Sequence, residues 1–145
     1  MGFMQEALEE ARVAARVGEV PVGAVVVRRG AIIARSGNRT ERDHDPAGHA
    51  EIVVLRTAAA LLGSTRLPDC DLYVTLEPCA MCAAAIAQAR IKRLYFGATD
   101  PKGGAVESGV RLYGQPSCHH APEVYGGLDA EASSSLLRDF FAARR

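Results

Sequence analysis

A chain of 145 residues, 48% hydrophobic and 23% charged, has the apolar content to bury the core of one domain, expected to span residues 1 to 145, and too much to stay disordered. Seventeen Lys and Arg balance seventeen Asp and Glu, so bulk charge gives no support to a nucleic-acid partner, although a local patch can still serve one. Apolar stretches such as Ala58 to Leu62 and Ala83 to Ala87 fall far short of the roughly 20 residues of a membrane span.

Residues 3 to 17 read as an amphipathic helix. Phe3, Met4, Ala7, Leu8, Ala11, Ala14 and Ala15 recur at three- and four-residue steps, with Glu6, Glu9, Glu10 and Arg12 opposite. Gly18 and Pro21 end it. The β-type runs Ala24 to Val27 and Ala31 to Ala34 flank Arg29-Gly30 and predict a hairpin. Residues 36 to 48 read as a loop, and a second helix is expected from Ala50 to Leu62, stopped by Gly63. Leu72 to Thr75 forms a third strand. Pro78 suits the first position of a helix over Cys79 to Ala89. Leu94 to Phe96 reads as a fourth strand ended by Gly97. Residues 99 to 122 are loop-like, a short fifth strand falls near Val124-Tyr125, and a final helix covers Asp129 to Ala143. Leu136, Leu137, Phe140 and Phe141 mark one face of that helix. Helices alternating with strands imply an α/β protein with a sheet covered on both faces.

No basic region followed by an apolar one opens the chain, so no signal peptide is expected and the expected compartment is the cytoplasm. There, Cys70, Cys79, Cys82 and Cys118 suggest thiols or metal ligands more than a disulfide framework.

The segments His49-Ala50-Glu51 and Pro78-Cys79-Ala80-Met81-Cys82 each open a predicted helix. Cys79 and Cys82 are three residues apart and share a helical face. Such a thiolate pair suits zinc, and the helix dipole favours the ligating thiolate. His49 can supply a third ligand. Two thiolates and a neutral imidazole cancel the charge of the ion, and three protein ligands leave one position open, the mark of a catalytic zinc. Water there would have its pKa lowered to about 7. Glu51 is placed to take its proton and pass it to a substrate.

His49, Glu51, Pro78, Cys79 and Cys82 match the H-x-E…P-C-x-x-C signature of zinc-dependent nucleobase deaminases. The likeness extends to Val20-Pro21-Val22-Gly23-Ala24, Asn38-Arg39, His44-Asp45-Pro46, Leu72-Tyr73-Val74-Thr75-Leu76-Glu77-Pro78-Cys79, Asp100-Pro101-Lys102 and the end Phe140-Phe141 with Arg144-Arg145. From about residue 4 onward the chain resembles the bacterial tRNA-specific adenosine deaminase family. The resemblance implies a three-layer, cytidine-deaminase-like fold with a mixed five-stranded sheet. It implies one Zn2+ per chain activating a water, a homodimer, and conversion of the wobble adenosine of a tRNA anticodon arm to inosine with release of ammonia. By that match Asn38 would hydrogen-bond the flipped base and Asp100 would lie beside the ribose. Lys102 and Arg144 would meet phosphates, and Phe140 or Phe141 would be available for stacking. Two segments depart from the pattern: Ala47-Gly48 stand where a threonine and an alanine are expected, and Arg111 to Tyr125 follows it loosely.

Other readings stay open on the residues alone. The C-x-x-C pair suits a redox site, which leaves His49 and Glu51 unexplained. A structural zinc could use Cys79, Cys82, Cys118 and either His119 or His120, which would suit a non-catalytic, zinc-stapled RNA-binding domain. A deaminase of a free base or nucleoside, of guanine or cytosine type, shares the zinc motif. Two basic segments suit phosphate contacts: Arg90, Lys92, Arg93, Lys102 and Arg111 against Asp100 and Glu107, and Arg138, Arg144 and Arg145 against Asp139.

Overall fold

The computed structural model describes residues 2 to 144, so Arg145 of the predicted basic tail lies outside the described residues. The elements are α1 (Phe3–Arg16), β1 (Gly23–Arg28), β2 (Ala31–Gly37), α2 (Ala50–Leu62), β3 (Cys70–Leu76), α3 (Ala80–Gln88), β4 (Arg93–Ala98), a 3-10 turn (Leu112–Gly114), β5 (Glu123–Tyr125) and α4 (Ala130–Ala142).

The five strands form one mixed sheet in the order β2-β1-β3-β4-β5. β1 runs antiparallel to β2 and β3, while β3, β4 and β5 are parallel. Arg29 and Gly30, both with positive φ, turn the β1–β2 hairpin, as a two-residue turn matched to strand twist requires. The side chains of β1, β3 and β4 alternate between two apolar layers. Val26, Leu72, Val74, Leu94 and Phe96 join Val54, Ala58 and Ile86 of α2 and α3 on one face. Val25, Val27, Tyr73 and Tyr95 join Met4 and Ala7 of α1 on the other. α4 packs beside α1, where the Ser133 hydroxyl donates to the carbonyl of Thr75.

Two expected boundaries move. β4 continues through Gly97 to Ala98, because a Cβ at Gly97 would lie 2.4 Å from the carbonyl oxygen of Thr75 in the paired strand. The glycine is there for close approach and not as a terminator. Pro78 stands one residue before the N-cap Cys79 and so lies outside α3. On α4, Phe140 is buried and Phe141 is 47% exposed, so the two aromatic residues do not share a face.

This topology sets the site. The loop after β3 leads into α3, the loop after β4 returns to the same end of the sheet, and α2 starts beside them. Such carboxyl ends of parallel strands are where open α/β sheets bind ligands.

Candidate active site

Two helix N-termini meet at this end of the sheet. His49 and Cys79 are the N-cap residues of α2 and α3, and neither side chain caps its own helix. Both side chains are therefore free to point at a third body. Cys82, three residues into α3 from its cap, is buried behind Cys79. His49 Nδ1 lies 3.6 Å from Cys79 Sγ and 3.5 Å from Cys82 Sγ. A tetrahedral zinc at about 2.3 Å from sulfur and about 2.0 Å from nitrogen separates such donors by about 3.5 Å. The donor set and its spacing fit zinc. Among the described residues these three are the one group of His, Cys, Asp or Glu side chains placed to share a metal.

The rival quartet does not form. Cys118 Sγ donates to the carbonyl of His120, and His120 Nε2 pairs with the carbonyl of Ile91. Cys118 and both histidines line a separate hollow against Ala84, Ala87 and Leu112. Cys70 is buried at the start of β3, where burial pushes its thiol up to about 11.

Glu51, in the first turn of α2, is 4% exposed. Burial pushes its carboxyl up to about 7, against the backbone hydrogen bonding that lowers it. The Cys82 thiol, hydrogen-bonded to Cys79, holds Cys79 down to about 3, and the same bond pushes Cys82 up. The Cys79 sulfur in turn raises His49.

These groups open onto a cleft of about 360 Å³ lined by Val20, Val22, Asn38, Glu51, Leu76 and Asp100 among others, within the range of small-molecule sites. Asn38 is buried, and its Oδ1 accepts the Ala50 N–H at 2.8 Å. That bond fixes the amide and leaves its Nδ2 to donate. Asp100 Oδ1 accepts the amides of Lys102 and Gly103. The structure thus brings Asn38, His49, Glu51, Cys79 and Asp100 to one cleft.

The outer residues are placed differently. Phe140 is buried, so its ring is not free for a base, and the exposed Arg144 guanidinium lies 3.4 Å from its ring centroid. Phe141 lines a hollow that shares Val20, Leu76 and Asp100 with the main cleft. Lys102 is exposed beside Gly103 of the cleft wall. The segment around Arg90 is not one patch. Arg93 pairs with Asp71 and Glu123, while Arg90 and Lys92 line another hollow with Arg66 and His120.

Two buried carboxylates at the site escape the sequence reading. Glu19, fully buried, accepts the amides of Glu41 and Arg42, the Arg42 guanidinium and the Thr40 hydroxyl, and so fastens the segment after Asn38. Glu77, equally hidden, lines the cleft beside Asp100. The signal available for Glu77 is a lone charge between Leu76 and Pro78 in an otherwise apolar strand end.

This constellation of helix-start donors and a buried carboxylate is that of a hydrolytic deaminase, and the chain belongs to the MafB19-like deaminase family, whose family model matches residues 1–145. It is 62% identical to the tRNA-specific adenosine deaminase of Agrobacterium fabrum, over 99% of this chain and 94% of that one. The tRNA-specific adenosine deaminase of Bacillus subtilis is 43% identical over 99% of this chain and 89% of its own. A solved structure of a tRNA:A34 deaminase, of the kind that carries out A-to-I editing at the wobble position of transfer RNA, superposes with a TM-score of 0.92. The two are 63% identical, covering 93% of this chain and 98% of that one. The guanine deaminase of Nitrosomonas europaea gives a TM-score of 0.80 at 27% identity, covering 97% and 83%.

Proposed function

We infer that this chain hydrolytically deaminates adenosine to inosine at the wobble position of a tRNA anticodon. The observation that carries the reading is the buried Glu51 carboxyl in one cleft with His49 and Cys79, with the Cys82 sulfur close behind them, in a chain 62% identical to a tRNA-specific adenosine deaminase. A zinc ion held by these three side chains would act as a Lewis acid and lower the pKa of water at its open position to about 7.

The residues do the rest. Glu51 accepts the proton of the attacking water and returns protons to the purine and its departing amine. Water adds its oxygen to carbon 6, the C–N bond breaks, and ammonia leaves. Asn38 donates from Nδ2 to an acceptor on the base. Asp100 faces the ribose, with its 2′-hydroxyl as the group to be read. Lys102 and Phe141 stand at the rim to meet phosphate and base. Carbon 6 of a stacked base is out of reach, so the target is a loop nucleotide turned out of its stack. The reading carries with it one deaminase domain over residues 1 to 145, one zinc per chain, a homodimer and a cytoplasmic setting.

The test is inosine formation in an anticodon stem-loop incubated with purified protein, beside free adenosine, cytosine and guanine. Inosine in the RNA with little turnover of the free compounds supports the reading. Efficient turnover of a free base with no inosine in the RNA would assign the chain to nucleobase deamination.

A further inference from the structure

One wall of the cleft belongs to residues 99 to 108, which form neither helix nor strand. Backbone in such a segment still needs hydrogen-bond partners. Here many of them come from one side chain. Glu77 is 2% exposed. Its Oε1 accepts the Asp100 N–H at 2.8 Å and the Ser108 hydroxyl at 2.9 Å. Its Oε2 accepts the N–H groups of Val106 at 3.0 Å, Glu107 at 2.8 Å and Ser108 at 2.8 Å.

Four amides and a hydroxyl thus converge on one carboxylate from both ends of the segment. The chain wraps it closely: a Cβ at Gly104 would lie 2.5 Å from Glu77 Cδ and 2.6 Å from the carbonyl oxygen of Asp100, so only glycine fits there. Asp100 is held twice, by Glu77 at its N–H and by its own turn at Oδ1. Its carboxylate therefore has a fixed aspect at the cleft.

We propose that Glu77 is a positioning residue for RNA binding, holding Asp100 and the 99–108 wall in the arrangement that receives the ribose of the target nucleotide. The proposal rests on the reading of the cleft as the site of an RNA nucleotide. A carboxylate is required because it only accepts: an amide would turn an N–H2 toward N–H donors, and an apolar group would leave buried donors without partners. Glu77 is not a catalytic residue, since its oxygens are engaged by the protein. A role confined to supporting α3 and the metal donors predicts losses of zinc and of stability. A positioning role acts through Asp100 and predicts a loss of substrate binding.

The experiment is steady-state kinetics on the anticodon stem-loop for the natural protein, Glu77→Gln, Asp100→Ala and the double variant, with zinc content as a second readout. Glu77→Gln is expected to raise KM by about 10- to 100-fold, the scale of a small misplacement. Its kcat should change by less than about threefold, with one zinc per chain retained. The double variant should bind no more than about twofold worse than Asp100→Ala alone, because the two act as one unit. An unchanged KM, or effects that multiply in the double variant, would overturn the proposal. Should Glu77→Gln fail to fold, Ser108→Ala removes the hydroxyl contact and is judged the same way: a KM rise that vanishes in the Asp100→Ala background supports the proposal, and any other result overturns it. Absence of inosine with the natural protein would overturn the reading of the cleft and this proposal together. Inosine with an unchanged KM in the variant would overturn this proposal alone.

Discussion

Glu51 is a carboxylate kept out of water beside His49, Cys79 and Cys82, and burial raises it above the ordinary carboxylate range. In the proposed reaction it takes a proton from water and gives it to the substrate. Glu51→Gln is expected to keep the fold and one zinc per chain and to lose about 10²- to 10⁴-fold in kcat, measured by inosine formation beside metal analysis. Near-normal turnover would remove Glu51 from the chemistry. Cys82→Ala is expected to lose zinc and lower Tm, since ligation and folding are coupled, whereas Cys118→Ala should do neither. Loss of zinc on Cys118→Ala with retention in His49→Ala would restore the structural quartet. The residues legible in the sequence are those whose type and spacing declare their chemistry, such as a histidine and a cysteine pair at helix starts. Glu19 and Glu77 are hard to read in the sequence, because most of their partners are backbone amides brought near only by folding, and the lone charge between Leu76 and Pro78 is a weak signal on its own.

At the level of elements, period and punctuation marked the four helices and the hairpin well. α2 lies on its expected span. Gly97 misled because a glycine that ends a strand and one that admits a neighbouring carbonyl look alike in sequence. Phe140 and Phe141 divide the work of α4. Phe140→Ala is expected to cost about 3 kcal/mol of stability, as truncation of a buried ring does. Phe141→Ala should leave Tm unchanged and weaken RNA binding, and a fall in Tm for Phe141→Ala would contradict this division. The segment after Asn38 depends on Glu19. Burial raises that carboxyl, but the amides of Arg42 and Glu41, the Arg42 guanidinium and the Thr40 hydroxyl outweigh it and hold it below its ordinary 4.5. Arg39 is the other nearby cation. The folded value lies below the unfolded one, so the stabilisation is complete above about pH 4.5 and is lost as pH falls through the folded value. Thermal melts across the acid range should show a shallower fall in Tm for Glu19→Gln than for the natural protein. Parallel curves would show that Glu19 does not carry this dependence.

The whole molecule is neutral, and among the described residues no helix is long and apolar enough to cross a membrane. RNA binding must then come from a few local cations, among them the exposed Lys102 beside Gly103 of the cleft wall, whereas Arg93 is paired with Asp71 and Glu123. Two or three phosphate contacts to a single-stranded loop give a slope of log affinity against log salt between about −1.4 and about −2.1. A slope near zero would show that phosphates are not engaged. The central claim is hydrolytic deamination of an RNA adenosine with Glu51 moving the protons. Its most direct measurement is inosine at the wobble position of an anticodon stem-loop, assayed with the natural protein and with Glu51→Gln, both zinc-loaded. Inosine is expected at that position with the natural protein, and almost none with the variant at equal zinc content. Equal inosine from both proteins, or none from the natural protein beside rapid turnover of free guanine, would contradict it.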